Sequence, residues 1–319
     1  MSFTEKMKDL ITRYYIYIIL IMLWSLAAAV SPFFRTLITF SAIIIAAVPI
    51  ALISLAQNLV ILTGNFDLTV GVMASLATAI ASETMTYNLV LSIIMILGIA
   101  AFIGLINGLG VARFKIDSFI MTLGMMFTLT GITYYIRPST GGSIPKELRD
   151  ALLYSINGFP VAPFLILILT LIVGEMLLKR TILGREIYAV GGNPESAKLL
   201  GINVEKVLIK VYILSAIISS IAGLYLAALY QCGKPDAGSP YLFDSFTATF
   251  MGGTLVTGGV GDYAGTFAAS LIIASLVHVL GYMNVSVWHR FIVKGLLLVS
   301  IVGIQQLIIL IKRVKEWKG

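Results

Sequence analysis

Long apolar runs separated by short polar breaks occupy most of the chain, at 14–31, 37–62, 67–83, 88–112, 118–136, 161–178, 207–229, 245–260, 263–283 and 288–311. A helix needs about 20 apolar residues to cross the hydrocarbon core of a bilayer. The pattern therefore predicts an all-α polytopic membrane protein with about ten transmembrane helices. The third and eighth runs stand apart. The run 67–83 opens on a carboxylate, and 245–260 carries Gly252, Gly253, Gly258 and Gly259, so each is a candidate for a half-spanning or re-entrant piece.

Composition agrees. Of 319 residues, 59% are hydrophobic and 12% charged, against about 25% charged in soluble domains. Mean hydropathy is +0.99. Lipid is the solvent for most of this chain. Basic residues precede the first apolar run as in a signal peptide, but Tyr14 to Val30 is long enough to span and is expected to be a retained helix. The single cysteine, Cys232, excludes an intramolecular disulfide and a cysteine-rich metal site.

The net charge of +7 acquires meaning from its distribution. If the N-terminus is cytoplasmic, the inner segments carry Lys6, Lys8, Arg13, Arg113, Lys115, Lys179, Arg180, Arg185, Lys198, Lys206, Lys210, Lys312, Arg313, Lys315 and Lys318, fifteen of the 22 basic residues. The outer segments carry Arg35, Arg137, Lys146, Arg149 and Lys234. That bias follows the positive-inside rule, and two cytoplasmic termini require an even number of spans. The basic excess thus reads as membrane topology, not as a nucleic-acid footprint. The longest polar breaks, from Lys179 to Lys206 and from Arg137 to Pro160, are too short for an independent domain, which rarely has fewer than about 50 residues. Residues 1–319 are expected to form one transmembrane domain, with any energy source or soluble receptor on another chain.

Two segments carry chemical information. In Gly64-Asn65-Phe66-Asp67-Leu68-Thr69-Val70-Gly71, Asp67 suits the N-cap of a helix over Leu68 to Ser82. A broken helix around a carboxylate also exposes polar groups to a polar cargo, which makes Asn65, Phe66 and Asp67 candidates to line a path. In the inner segment 180–206, Asn193 suits an N-cap, Pro194 the first helical position before Glu195, and Gly201 the stop, predicting a helix of about two turns. By spacing alone this is either a structured loop or a docking contact for a cytoplasmic partner.

Other patterns lead nowhere. Gly259 to Ala264 mimics a dinucleotide fingerprint without a βαβ context, and no Walker lysine accompanies Gly253 to Gly259. His278 and His289 have no Cys, Asp or Glu at ligand spacing, so neither a metal nor a cofactor is expected. Gly104 and Gly108 are expected to permit close helix packing, Lys294 to pair with a carboxylate or snorkel, and Glu175 to pair with Lys179. Asn284-Val285-Ser286 is a glycosylation sequon in form only.

The stretches GNFDLTVG at 64–71, NGLGVARFKIDSFIMTLGMMFTLTGIT at 107–133, RTILGREIYAVGGNPESAKLLGINVEKV at 180–207 and FMGGTLVTGGVGDYAGTFAASLI at 250–272 together resemble the ribose-type permease family of ABC importers. The resemblance covers most of the chain in order. It implies the type II importer permease fold in a bacterial inner membrane, a second permease chain as homodimer or heterodimer, cytoplasmic ABC ATPase subunits and an external or periplasmic sugar-binding protein. It also implies that Asn193 to Asn203 is the coupling helix seated in the ATPase, so that Gly192, Asn193, Pro194, Glu195, Ser196, Ala197, Leu200, Gly201, Ile202 and Asn203 form the coupling region. The family's usual Gly-Gly-Ile-Asp opening reads Gly64-Asn65-Phe66-Asp67 here, which weakens transfer of a particular sugar.

The implied function is a permease subunit forming the path of a ribose-type monosaccharide, itself no enzyme, with nucleosides and branched-chain amino acids as alternative cargo. An ion-coupled secondary transporter would instead need acidic residues along its spans, and Asp67, Glu83, Asp244 and Asp262 are expected near span ends. An intramembrane enzyme would need a nucleophile and base that the spans do not supply.

Overall fold

A computed structural model describes the backbone of residues 3–318 and the side-chain surroundings of 15–29 and 31–307. Its helices are α1 (Phe3–Val30), α2 (Leu37–Leu62), α3 (Val70–Thr84), α4 (Leu89–Ala112), α5 (Ser118–Ile136), α6 (Lys146–Leu152), α7 (Val161–Arg180), α8 (Ile182–Gly192), α9 (Pro194–Leu199), α10 (Val204–Tyr230), α11 (Ser239–Met251), α12 (Tyr263–Tyr282) and α13 (Val287–Lys318). Nine of the ten apolar runs coincide with a helix, and the eighth only overlaps the end of α11. Among the described residues, seven helices, α2, α4, α5, α7, α10, α12 and the Val287–Leu307 part of α13, are long and apolar enough to cross a membrane. The described apolar part of α1, Tyr15–Ala29, is shorter, and the basic residues at both chain ends that enter the topology count lie outside the described side chains.

Helices α2 and α10 form the centre, with α10 packed on α2, α3 and α4 and α2 on α11 and α12. Almost every residue of α2 from Ile43 onward is buried. The expected close packing at Gly104 and Gly108 is present. A Cβ there would lie 2.6 Å from Ile213 Cα and 2.7 Å from Ile209 Cα of α10, so only glycine lets these backbones approach. Pro49 interrupts α2 and removes the N–H that would bond the carbonyl of Ile45. Tyr225 of α10 supplies the missing donor, its hydroxyl lying 3.1 Å from that carbonyl.

The third and eighth runs are the short ones. Helix α3 has 15 residues and α11 has 13, or about 22 and 20 Å at 1.5 Å per residue, against a core of about 30 Å. The eighth run is not the helix its hydropathy suggests. Its helix starts earlier, at Ser239 with Pro240 in the first turn, and ends at Met251. Beyond it Gly253, Gly258, Gly259 and Gly261 all take positive φ, a conformation that stops a right-handed helix. The N-termini of α3 and α11 meet: a Cβ on Gly238 would stand 1.9 Å from the Gly71 carbonyl oxygen, and the Gly238 N–H donates to Ser75 Oγ at 2.9 Å. The N-terminal ends of two broken helices are thus packed together within the protein.

Candidate functional site

After α2 the chain turns through Gly64 at φ +77 into a segment clamped from three sides. The Phe66 N–H donates to Ser118 Oγ at 3.1 Å and its carbonyl accepts from the Tyr212 hydroxyl at 2.9 Å. The Phe66 ring lies 6.1 Å from that of Phe246 on α11. Asn65 bonds back to the carbonyl and hydroxyl of Thr63, both at 3.1 Å.

Asp67 is not the N-cap that its sequence position suggests. Thr69 holds the cap position and α3 begins at Val70. The Asp67 carboxylate accepts instead from the Thr69 N–H at 2.8 Å and from the Thr69 hydroxyl, an Asx-type turn one step ahead of the helix. Its other oxygen accepts from Ser215 Oγ of α10 at 2.7 Å, and Asn107 Nδ2 donates to Thr69 Oγ1 at 3.3 Å. With 1% of its surface exposed and both oxygens bonded to protein donors, Asp67 anchors α3 to α10 and is enclosed by the protein. Of the three candidate path residues, Asn65 and Phe66 are half-buried and Asp67 is enclosed.

The break after α2 closes against two glycine pairs. The carbonyl of Leu62 accepts from the Gly259 N–H at 2.9 Å. A Cβ on Gly258 would lie 2.5 Å from Gly64 N, and one on Gly191 would lie 1.8 Å from the Leu62 oxygen. The end of α2, the end of α8 and the loop 252–262 therefore meet backbone to backbone. Asn58 fixes the loop from α2, donating to Thr254 Oγ1 at 2.8 Å and Thr266 Oγ1 at 2.9 Å. Tyr188 of α8 donates to the Gly261 carbonyl at 2.8 Å. Burial, with Asp262 and Glu175 nearby, pushes this phenol up to about 12, so it remains a donor at neutral pH. Asp262 caps α12 through the Gly265 N–H at 2.7 Å, and Glu175 accepts from the Ala264 N–H at 2.8 Å while pairing with Lys179 as expected. A polar cavity of 420 Å³ opens beside this loop, lined in part by Tyr15, Lys179, Gly253 and Asp262.

The short helix expected after Asn193 is present as α9. Asn193 Oδ1 accepts from the Ser196 N–H at 2.9 Å with Pro194 in the first turn. Gly201 ends it at φ +82, with its N–H on the Lys198 carbonyl and that of Ile202 on the Ala197 carbonyl. Lys198 bonds Glu195 at 2.7 Å and so lowers the carboxyl from its ordinary value. Asn203 caps α10 through the Lys206 N–H at 3.0 Å, leaving no slack between α9 and α10.

The face that α9 presents differs from the expectation. Ala197 is 2% exposed and packs inward with Ile187, Val190 and Val207, because it lies on the side that seats α9 on α8 and α10. Leu199 and Leu200 are 90% and 79% exposed. Leu199 was not among the residues singled out by sequence, although an apolar pair ending a polar helix was the available signal. The sequence also missed Ser118, Tyr212, Ser215 and Asn107, which hold the segment 64–69 from a distance, and the role of Gly191.

Lys294 pairs with a carboxylate as expected, its Nζ lying 2.8 Å from Asp244 Oδ2. Asp244 does not sit at a span end. It is buried within α11 and ties that helix to α13. At the opposite end of the bundle Arg137 pairs with Glu83 at 2.7 Å, beside a backbone bridge from Gly141 to Gly233.

Residues 39–302 match the family described as branched-chain amino acid transport system, permease component. Among curated relatives, the ribose import permease protein of Escherichia coli strain K12 is 33% identical over 287 residues, covering 88% of this chain and 89% of its own length. The fructose import permease protein of Rhizobium meliloti is 34% identical, covering 81% and 74%. The L-arabinose transport system permease protein of Escherichia coli strain K12 is 29% identical, covering 91% and 89%. No solved structure matches the chain. With the broken helices α3 and α11 and the glycine-closed junction inside the matched residues, the chain belongs to this family of multi-pass membrane permeases.

Proposed function

We propose that this chain is the membrane-spanning subunit of an ATP-driven importer of a monosaccharide. The observation that carries the reading is the backbone-close junction of 62–64, 191–192 and 252–262, directly joined to the capped helix α9 with its exposed Leu199 and Leu200. A push on α9 passes without slack into α8 and α10, and through the glycine contacts into the ends of α2 and α11. The relatives named for ribose, fructose and arabinose supply the cargo class. In this reading 1–319 is one permease domain, both termini and α9 are cytoplasmic, and ATP is hydrolysed by partner ATPase subunits. A second permease chain completes the path, and an external binding protein delivers the sugar. Asn65 and Phe66, half-buried beside the junction, are the path-lining candidates of this reading. The family description names branched-chain amino acids, which the same test addresses.

The test is uptake by cells expressing the chain with its ATPase and binding protein, in a host lacking its own ribose importer. Labelled ribose, fructose, L-arabinose, leucine and uridine are compared. Accumulation of at least one monosaccharide, abolished by mutating the ATPase, is expected. Accumulation of leucine or uridine alone would refute the sugar reading.

A further inference from the structure

A second cavity, unconnected with the glycine junction, lies between α2, α4, α7 and α10 beneath α6 and has a volume of 370 Å³. Its walls are aliphatic. Its two hydroxyl-bearing residues are both committed inside the protein, Thr170 donating to the Ile166 carbonyl at 2.7 Å and Tyr225 to that of Ile45. Water entering would find no partner, and a polar ligand no hold. One side is open, where Leu169 and Val173 of α7 are 60% and 45% exposed.

Place and length identify the occupant. The α7 lining runs from Ile166 to Val173, about 10 Å along the helix, and starts just over one turn after α7 begins at Val161. That is short enough to lie within one leaflet of a core of about 30 Å, and α6 closes the slot with Leu148 and Leu152. The outer face of α6 carries Lys146, Glu147, Arg149 and Asp150, all exposed, and none of them enters an ion pair among the described residues. Two cations and two anions at headgroup level complement a head that itself bears both signs. Exposed Tyr154 follows, at the depth where aromatic anchors sit. A helix about 10 Å across does not fit a slot of this volume, whereas a single alkyl chain does.

The geometry points to a phospholipid site: one acyl chain fills the slot, and an amine-bearing zwitterionic headgroup rests on α6, its phosphate toward Lys146 and Arg149 and its ammonium toward Glu147 and Asp150. This holds whichever cargo the permease carries.

The test is native mass spectrometry of the full chain extracted from nanodiscs of phosphatidylethanolamine, phosphatidylcholine and phosphatidylglycerol in equal parts. Wild type should retain phosphatidylethanolamine in excess of the other two. Leu169→Trp, which fills the slot, should lose the retained lipid, while Leu165→Trp, an equal substitution at an exposed α7 position outside the lining, should keep it. Neutralising α6 by K146Q, E147Q, R149Q and D150N together should abolish the headgroup preference while lipid stays bound. Wild type retaining no lipid, or L169W retaining as much as L165W, would overturn the proposal. So would loss of a dimer in L169W with no change in lipid, which would make a second copy the occupant.

Discussion

The hydroxyl of Tyr225 donates to the carbonyl of Ile45 at 3.1 Å, the carbonyl that Pro49, four residues on, leaves without its helical donor. Inside a bilayer no water is present to take that role, so proline in α2 and tyrosine in α10 form one unit. Tyr225→Phe should destabilise by about 1–3 kcal/mol, the cost of an unpaired buried carbonyl. In a Pro49→Ala background, where residue 49 regains its N–H, the same change should cost clearly less. Unfolding titrations of the four proteins give the coupling, and strict additivity would contradict it.

Asp67 is held by three donors, including Ser215 at 2.7 Å. Asp67→Asn keeps an acceptor for Thr69, and Ser215 can turn to accept from the new amide, so this variant should fold. Asp67→Leu strands all three donors and should lose more than the roughly 0.5–2 kcal/mol of a cap alone. Membrane levels and monodispersity decide. A well-folded but transport-dead D67L protein would assign Asp67 to the cargo instead.

The Asp244 and Lys294 pair should behave as a buried ion pair. Asp244→Ala or Lys294→Ala alone should cost about 3–5 kcal/mol by leaving a charge unpaired, whereas Asp244→Leu with Lys294→Leu should recover most of it. Thermal stability of the three variants is the readout, and equal loss in single and double variants would exclude the pairing. Because Asp67 and Asp244 are both occupied by protein donors, uptake should also be insensitive to collapsing the proton or sodium gradient at constant ATP.

What local pattern fixes was legible in the sequence. Nine of the ten apolar runs coincide with a helix and the eighth overlaps the end of one, and Asn193, Pro194 and Gly201 bounded α9 because caps act within a few residues. Pairing of Lys294 with a carboxylate was legible because an intramembrane cation has few alternatives. The failures concern distance and facing. Ser215 lies 148 residues from Asp67, and no local pattern links them. Hydropathy placed the eighth run over the glycine loop because Leu255, Val256 and Val260 score as span residues, while the positive φ of Gly253 and Gly258 stops the helix. The inward facing of Ala197 was not legible because α9, with 6 residues, is too short to show a periodic face, and its packing with Ile187, Val190 and Val207 fixes its orientation.

The inward Ala197 changes how the coupling segment is tested. Ala197→Arg should disrupt the seating of α9, and Gly201→Val should strain its stop at φ +82, so both act on the fold of the segment. Leu199→Asp, at an exposed position, should leave the chain folded and address docking alone. The Glu195 and Lys198 pair should persist at neutral pH. It should be lost only as pH falls through the lowered carboxyl range.

The most direct measurement of the central claim is sugar-stimulated ATP hydrolysis in proteoliposomes holding the chain with its ATPase, comparing wild type with Leu199→Asp and Leu200→Asp. Binding protein loaded with the transported sugar should stimulate hydrolysis in wild type. In both variants stimulation should fall at least severalfold while the chain remains folded and inserted. Unchanged stimulation and unchanged uptake in both would show that α9 is only a connector between α8 and α10, and would contradict the account.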